Sequence, residues 1–332
     1  MDRVIWHGAV IAIALLASSC VKSDSEESRE LVGSERQERK PKYRRRVHSK
    51  REPPPVARPT KSMSVAEAKR YLLRLVNRDR EAEGLEPVAW DATAERAGQE
   101  HAEDMARRGY TAHWGSDGSV PEQRYSAAGG TGMVQENAAC FPDGVERQID
   151  GSPVVTAEEV EKIEHAFISE KPPHDGHRKN ILTPWHNRLG IGLAQPVGVP
   201  IPCVAQEFVD DYGNYSSLPS SASVGQTVHV AGTMTAPATF GGIGIARIAL
   251  PSAKSAAELN ETHTYAVPRP YVTYFPKGYK TPITVQTDGN HFSIKVPLDD
   301  NRRPGIYEVS VWATVPEDPD LTMVGLRTIV VK

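Results

Sequence analysis

The chain has 332 residues, with 39 Lys and Arg, 42 Asp and Glu, and a formal net charge of −3. This length suits about two domains. The balanced charge argues against a nucleic-acid-binding protein, because phosphate contacts demand a basic excess. The chain contains only three cysteines, which allow at most one internal disulfide, so no dense disulfide framework replaces a hydrophobic core.

The amino terminus has the pattern of an export signal. Arg3 precedes a short apolar stretch, and small residues follow at 17–19. The stretch is too short for a membrane-spanning helix. Cys20 resembles the lipidated cysteine of bacterial lipoproteins, so residues 1–20 are predicted to be a lipoprotein-like signal peptide and Cys20 a membrane anchor. Simple cleavage near residue 19 and secretion is the alternative, since Ala17 stands where that class usually carries Leu.

Residues 21–62 are predicted to form a disordered basic linker. Their mixture of Lys, Arg, Glu, Ser and Pro cannot bury enough apolar surface to fold. Within them, residues 36–51 carry nine basic side chains and one acidic one, a net charge of +8. We interpret this run as a solvated stalk. Contact with anionic lipid headgroups or wall polymers is the alternative.

Three amphipathic helices are predicted within residues 63–216. Ser64 with Glu67, and Thr156 with Glu159, have the spacing of capping boxes. Asp91 caps the helix that lies between them. Apolar residues follow each cap at spacings of three and four, which indicates one buried face on each helix.

Candidate functional side chains are polar residues in the loops around these helices. His101 lies on a buried helical face and is interpreted as a core histidine bonded to the backbone. His113 and residues 135–137 stand in Gly-rich, irregular sequence, and His177 follows Glu170 after two prolines. Glu170 ends an apolar stripe, so it needs a cation, a metal or a proton if it is buried. A position beyond the helix end would leave it in water.

The order of these residues resembles the bacterial branch of the CAP superfamily, which comprises the cysteine-rich secretory, antigen 5 and pathogenesis-related type-1 proteins. The resemblance covers residues 66–211. It rests on seven segments of the sequence, namely 75–80, 87–91, 97–106, 113, 135–137, 177–182 and 190–194. It implies an α-β-α sandwich with a central cavity lined by four side chains, which fall here on His113, Glu136, Glu170 and His177.

Two imidazoles and two carboxylates suit a divalent metal, with zinc the first candidate. Glu122 or His174 could take the place assigned to Glu170. The resemblance favours an exported, lipid-anchored binding protein whose cleft holds the metal and a lipid-like ligand or an envelope partner. One alternative is a metal-dependent hydrolase of envelope peptide or polysaccharide, with Glu136 or Glu170 as general base. Another is an adhesion or scaffold protein in which the four side chains are purely structural.

A β-hairpin is predicted at the end of the first domain. Residues 188–194 and 204–209 read as strands that flank a turn rich in Gly and Pro. Cys140 and Cys203 are candidates for a disulfide in an oxidising compartment. Two buried free thiols are the alternative.

Residues 222–332 are predicted to form a separate β-sandwich after a linker at 217–223. About seven short strands with alternating apolar residues, and the turn signal at 288–289, are typical of an immunoglobulin-like or fibronectin-like fold. No His, Cys or acidic cluster with ligand spacing occurs there. We interpret this domain as a spacer or partner-binding module. Because one predicted domain mixes helices and strands and the other is all β, the whole chain is expected to be α+β.

Overall fold

The structure of the chain is a computed structural model that describes residues 55–262, 264–316 and 318–332, without the side chain of Pro319. The predicted signal peptide, Cys20 and the basic run at 36–51 lie outside the described residues. No helix in the described ranges is both long and apolar enough to cross a membrane.

The first domain is an α-β-α sandwich, as predicted. Its strands pair in the order β1-β3-β4-β2, so β2 is an edge strand. Helix α2 packs on one face of the sheet, and α1 and α4 pack on the other. The elements in chain order are α1 (Val65–Ala82), β1 (Ala89–Trp90), α2 (Ala92–Arg108), α3 (Pro121–Ala127), β2 (Met133–Ala139), α4 (Ala157–Ile168), α5 (Gly176–Ile181), β3 (Arg188–Ala194) and β4 (Cys203–Asp210).

The helices begin where their capping residues predicted. Ser64 and Thr156 each form a reciprocal capping box, with Glu67 and Glu159 respectively. The Asp91 side chain accepts hydrogen bonds from two backbone amides in the first turn of α2. These contacts satisfy amide groups that have no partner within the helix, which explains the sharp helix starts.

Two glycines of β3 allow the backbone of α2 to approach the sheet closely. A Cβ at Gly192 would lie 2.0 Å from the Gly98 carbonyl oxygen, and one at Gly190 would lie 2.1 Å from the Glu95 nitrogen. No side chain fits between the two elements at these points. The glycines therefore set the depth at which α2 sits on the sheet.

A disulfide joins two neighbouring strands of the first domain. Cys140 follows β2 and Cys203 opens β4, and their Cα atoms are 4.2 Å apart. The antiparallel register places them side by side, because the preceding pair is Ala139 and Val204. The bond lies in the apolar layer under α2.

The second domain is a β-sandwich with an immunoglobulin-like strand order. One sheet has the order β10-β11-β7-β5, and the other has the order β6-β13-β12-β8-β9. These correspond to the A-B-E-D and C′-C-F-G arrangements of that fold. The elements are β5 (Gly213–Tyr215), β6 (Ser221–Ala222), β7 (Thr227–Met234), β8 (Thr239–Ile248), α6 (Ala256–Asn260), β9 (Val272–Tyr274), β10 (Gln286–Asp288), β11 (His291–Pro297), β12 (Gly305–Val315) and β13 (Asp318–Val331).

The segment interpreted as a linker takes part in the sandwich. Strand β5 already pairs with β7, and the Val330 amide donates to the Ser220 carbonyl oxygen at 3.0 Å, next to β6. The two domains also touch, because the Leu326 amide donates to the Gly132 oxygen and the Thr328 amide donates to Ser126 Oγ. Because these backbone hydrogen bonds join residues 213–222 to the second domain, the segment is not a free linker between the domains.

Candidate functional site

His113 is held by a carboxylate on the edge strand of the first sheet. Its Nδ1 lies 2.9 Å from Glu136 Oε1. The other oxygen of Glu136 accepts a 2.7 Å bond from Arg124 Nη2, and Arg124 also donates to the His113 carbonyl oxygen at 3.0 Å. Arg124 on α3 thus orients both members of the pair. Sequence reasoning missed it, because an arginine on a short helix carries no motif of its own.

At the start of α5, His177 is held by a second carboxylate. Its Nδ1 lies 2.6 Å from Glu170 Oε1, and Glu170 Oε2 accepts from the backbone amides of His177 and Arg178. Glu170 lies beyond the end of α4, whose C-cap is Ser169, yet its side chain is only 6% exposed. The buried carboxylate therefore has an imidazole and two amides as partners, rather than water.

The remaining ring nitrogens of the two histidines have no hydrogen-bond partner. His113 and His177 are 2% and 0% exposed, and Nε2 of each is buried without a partner in the part of the chain that the structure describes. A carboxylate on Nδ1 favours a proton there, which leaves the Nε2 lone pair free. We call these two residues the histidine pair. Besides burial, the charge of His113 lowers the pKa of His177, so the two imidazoles lie within electrostatic range of each other.

The electrostatics of the site keep the Glu136 carboxylate charged and the His177 imidazole neutral. Burial lowers the pKa of His177, although the neighbouring Glu170 opposes this effect. Burial also opposes the charge of Glu136, but His101, Arg124 and His113 outweigh it and hold the pKa of Glu136 well below its usual range.

His101 is a core histidine, as interpreted from the sequence. Its Nε2 donates to the Ala112 carbonyl oxygen at 2.8 Å, and burial followed by the charge of Arg124 lowers its pKa to about 4. Its Nδ1 has no partner among the described residues. Its Nε2 also lies 3.6 Å from Glu136 Oε1, so His101 packs against the carboxylate that orients His113.

A buried amide network positions the helix that carries His177. Asn137 Nδ2 donates to the His177 carbonyl oxygen at 3.3 Å and to Gln206 Oε1 at 3.0 Å. Asn180 Nδ2 donates to Asn137 Oδ1 at 3.0 Å, and His186 Nε2 lies 2.9 Å from Asn180 Oδ1. Both asparagines lie in segments that carry the family resemblance, but the sequence did not reveal that they bond to each other.

The two alternatives considered for the position of Glu170 lie elsewhere. His174 is exposed in the loop before α5. Glu122 is buried and accepts a hydrogen bond from Tyr265 Oη of the second domain. The structure therefore brings together His113, Glu136, Glu170 and His177, and directs Glu122 to the domain interface.

The four side chains are arranged as two oriented histidines rather than as four metal ligands. No group of three or more His, Cys, Asp or Glu side chains is placed to hold a metal within the described ranges. Every oxygen of Glu136 and Glu170 already accepts a hydrogen bond. The donor set that fits a metal is the pair of Nε2 atoms, with the carboxylates orienting the rings from behind, an arrangement common around zinc-bound histidines.

A second acidic pair lies buried between the domains. Glu308 on β12 is fully buried and faces Glu122 on α3. Neither oxygen of Glu308 receives a hydrogen bond from any described residue. Burial and then the charge of Glu122 raise the pKa of Glu308 to about 10, and burial raises the pKa of Glu122 despite the nearby Arg124. This pair of carboxyl groups therefore retains a proton at neutral pH, on Glu308.

Replacing Glu308 by Gln is expected to stabilise the chain by about 4 kcal/mol at about pH 8, because each pH unit above the ordinary pKa costs about 1.4 kcal/mol, and by almost nothing near pH 4. The unfolded carboxyl ionises above its ordinary pKa of 4.5, whereas the folded one keeps its proton up to about pH 10. Wild-type stability therefore falls as the pH rises through this window, and a neutral amide removes that contribution. Urea unfolding at several pH values measures it, with the exposed Glu261→Gln as control. Equal pH slopes in wild type and variant would contradict the retained proton.

The fold and the site together define a three-layer domain with two carboxylate-held histidines at the edge of its sheet. Residues 73–196 match the model of the CAP family, described as the cysteine-rich secretory protein family. The chain therefore contains a CAP domain.

Two solved structures are reported as similar. One is an extracellular protein containing an SCP domain from Bacillus anthracis str. Ames, with 21% identity, a TM-score of 0.34, and a match covering 44% of this chain and 41% of that one. The other is a chitin binding domain from Burkholderia pseudomallei, with 10% identity, a TM-score of 0.22, and a match covering 35% of this chain and 57% of that one. This chain thus matches less than half of the first protein's length. No curated protein matches the chain.

Proposed function

We propose that the chain is an exported CAP-domain protein that binds one divalent metal ion through Nε2 of His113 and Nε2 of His177. Zinc is the first candidate for that ion. The observation that carries the proposal is the pair of buried Nε2 atoms without hydrogen-bond partners. Buried polar atoms are normally satisfied, and one ion bound by both nitrogen atoms would explain why neither has a partner within the protein. Neutral imidazole is a common zinc ligand.

The contacts favour binding over hydrolysis. Catalytic zinc sites usually have three protein ligands, whereas the fold supplies two nitrogens here. The oxygens of Glu136 and Glu170 are engaged by His113, Arg124 and the amides at the start of α5, so neither carboxylate is free to act as a general base. A bound zinc would supply a Lewis acid with positions left for water or an anionic ligand.

Export and lipid anchoring at Cys20 belong to the same proposal. The signal-like amino terminus supports export, and the disulfide between Cys140 and Cys203 suits an oxidising compartment. The solved SCP-domain protein from Bacillus anthracis is described as extracellular. We propose that the mature chain lies outside the cytoplasm and is tethered to a membrane by lipid at Cys20.

A small apolar cavity supports a lipid-like ligand. It has a volume of about 180 Å³ and lies between α4 and the turn that joins β3 to β4. Phe141, Ile163 and Val199 are among its lining residues. A cavity of this size admits a group comparable to benzene, so it suits one short segment of an acyl chain.

Zinc titration of the full chain by calorimetry tests the metal site. Wild type is expected to bind one ion, and the His113→Ala and His177→Ala variants are expected to bind at least about 100-fold more weakly, because each removes one of two nitrogen ligands. His174→Ala is the matched control, since His174 is exposed in the same loop region. Circular dichroism verifies that each variant is folded.

Two results of the titration would contradict the proposal, and each would have a different meaning. If wild type binds no zinc, cobalt or manganese, the histidine pair is structural and the scaffold alternative gains support. If both histidine variants bind as tightly as wild type, the metal lies elsewhere in the chain.

A further inference from the structure

A segment of the second domain crosses onto the loop that carries His113. Residues 249–271 connect β8 to β9, and we call them the strap, although residue 263 within them is not described. Residues 109–118 follow α2, and we call them the His113 loop. The strap contacts this loop at several points along its length.

The backbone of the strap lies directly against the far end of the loop. The Lys254 amide donates to the Ser116 carbonyl oxygen at 2.8 Å. A Cβ at Gly118 would lie 2.4 Å from the Ser252 carbonyl oxygen, and Gly118 has a positive φ of 84°. Only glycine fits both the conformation and the space at this contact.

Helix α6 of the strap fastens the near end of the loop. Asn260 Oδ1 accepts from the Thr111 amide at 3.0 Å, and Asn260 Nδ2 donates to the carbonyl oxygens of Gly109 and Pro142 at 3.3 Å. Leu259 is fully buried in the apolar cluster of the first domain that contains Met105. One side chain thus satisfies three backbone groups beside an apolar anchor.

An aromatic contact holds the middle of the loop beside the histidine itself. The Tyr265 ring meets Trp114 edge-on, with centroids 5.1 Å apart and an interplanar angle of 86°. Tyr265 Oη also donates to Glu122, two residues before Arg124 on α3. Trp114 is adjacent to His113 in the chain. Tyr265 therefore contacts both the neighbour of His113 and the helix that carries Arg124.

The other half of the histidine pair is held by hydrogen bonds within the first domain, among the residues that the structure describes. His177 lies on α5, which Asn137 and Asn180 tie to β2 within the first domain. The two histidines are therefore positioned by different parts of the molecule. A disturbance confined to the strap would therefore act on His113 more directly than on His177.

We infer that the strap is a positioning element of the site, so that the second domain holds His113 and both domains together assemble the histidine pair. The inference rests on the proposed function only where zinc is the readout. The site is then complete only while the strap is seated, and a partner that lifts the strap would release the ligand at His113.

Hydrogen exchange of the metal-free full chain tests the strap without reference to zinc. Asn260→Ala removes the bonds to Thr111, Gly109 and Pro142 but leaves Leu259 as anchor. We expect amide exchange at 109–118 to rise at least about tenfold while exchange at 176–181 is unchanged. Asn214→Ala, on an exposed position of β5, is the matched control.

A second pair of variants keeps the test independent of Asn260. Tyr265→Ala removes both the ring contact with Trp114 and the bond to Glu122, whereas Tyr265→Phe retains the ring. We expect faster exchange around 113–116 in Tyr265→Ala and a smaller change in Tyr265→Phe. Unchanged exchange in both Asn260→Ala and Tyr265→Ala would overturn the inference.

Metal readouts then show whether the strap positions His113 itself. Below the melting temperature, Asn260→Ala is expected to bind zinc about tenfold more weakly and to alter the visible absorption of bound cobalt, as loss of an outer support does elsewhere. Faster exchange with wild-type affinity and an unchanged cobalt spectrum would overturn the assignment to the site. If wild type binds no metal, the proposed function fails, and exchange at 109–118 still decides the role of the strap.

Discussion

Replacing Arg80 by Met is expected to destabilise the chain by about 4 kcal/mol, because four wholly or partly buried carbonyl oxygens lose their donor. Arg80 is fully buried at the end of α1. Its guanidinium donates to the carbonyl oxygens of Glu86, Ile181, Thr183 and His186 at 2.7 to 3.0 Å. Burial lowers its pKa to about 10, partly offset by Asp210, so the group stays charged at neutral pH.

The geometry of the guanidinium makes lysine a poor substitute. Arg80→Lys supplies three donors on one nitrogen and cannot span carbonyl groups from two separate segments, so it is expected to recover less than half of the loss. Urea unfolding followed by circular dichroism measures both variants. Arg74→Met, at an exposed position of the same helix, is the control and should stay within about 0.5 kcal/mol of wild type. A loss below about 1 kcal/mol in Arg80→Met would show that the carbonyl groups find water instead.

The contacts of Arg80 also connect it to the candidate functional site. The carbonyl groups of Ile181, Thr183 and His186 belong to the segment that follows His177. Losing their donor would loosen α5 from its carboxyl-terminal end. Arg80 lies in the segment 75–80 that carries the family resemblance, and this contact is a physical reason for an arginine at that position.

Replacing Gly192 by Ala is expected to cost about 3 kcal/mol of stability, because the added methyl group has no space. Its Cβ would lie 2.0 Å from the oxygen and 2.1 Å from the carbon of the Gly98 carbonyl, and 2.5 Å from the Gln99 nitrogen. These are backbone atoms of α2, so relief requires the whole helix to move. A rotating side chain cannot absorb the overlap.

Thermal and urea unfolding of Gly192→Ala measure this cost. Gly151→Ala is the control, since a Cβ there meets nothing within 4 Å and its φ is not in the left-handed region. The control should differ from wild type by only a few tenths of a kcal/mol. If Gly192→Ala matched the control, α2 would have room to shift on the sheet, and the depth of packing would not depend on this glycine.

The local elements could be predicted from the sequence because their signals lie within a few residues. The capping boxes at Ser64 and Thr156, the cap at Asp91 and the alternating run in β12 each depend on residues within one or two turns or one strand. The hairpin of β3 and β4 and the turn at Gly289 followed from the same local chemistry. The four candidate site residues came from spacing and resemblance.

The requirement for a partner at Glu170 was also visible in the sequence, but the identity of that partner was not. A carboxylate at the end of an apolar stripe has to be neutralised or hydrated. Only the fold shows that the loop before α5 turns back and places the ring and amide of His177 against it. The same holds for Glu136, whose second oxygen is taken by Arg124 from a neighbouring helix.

The amino-acid sequence by itself determined the three capped helices, the hairpin of β3 and β4, the alternating strands of the second domain and the residue types of the site. The tertiary structure alone decided the contacts of Arg80 with 181–186, the proton-retaining pair of Glu122 and Glu308, and the strap on the His113 loop. The physical reason is the distance along the chain over which each kind of interaction acts. Propensity, capping and periodicity act between neighbours in the chain, whereas these contacts join residues about 100 or more positions apart and exist only once both domains have packed.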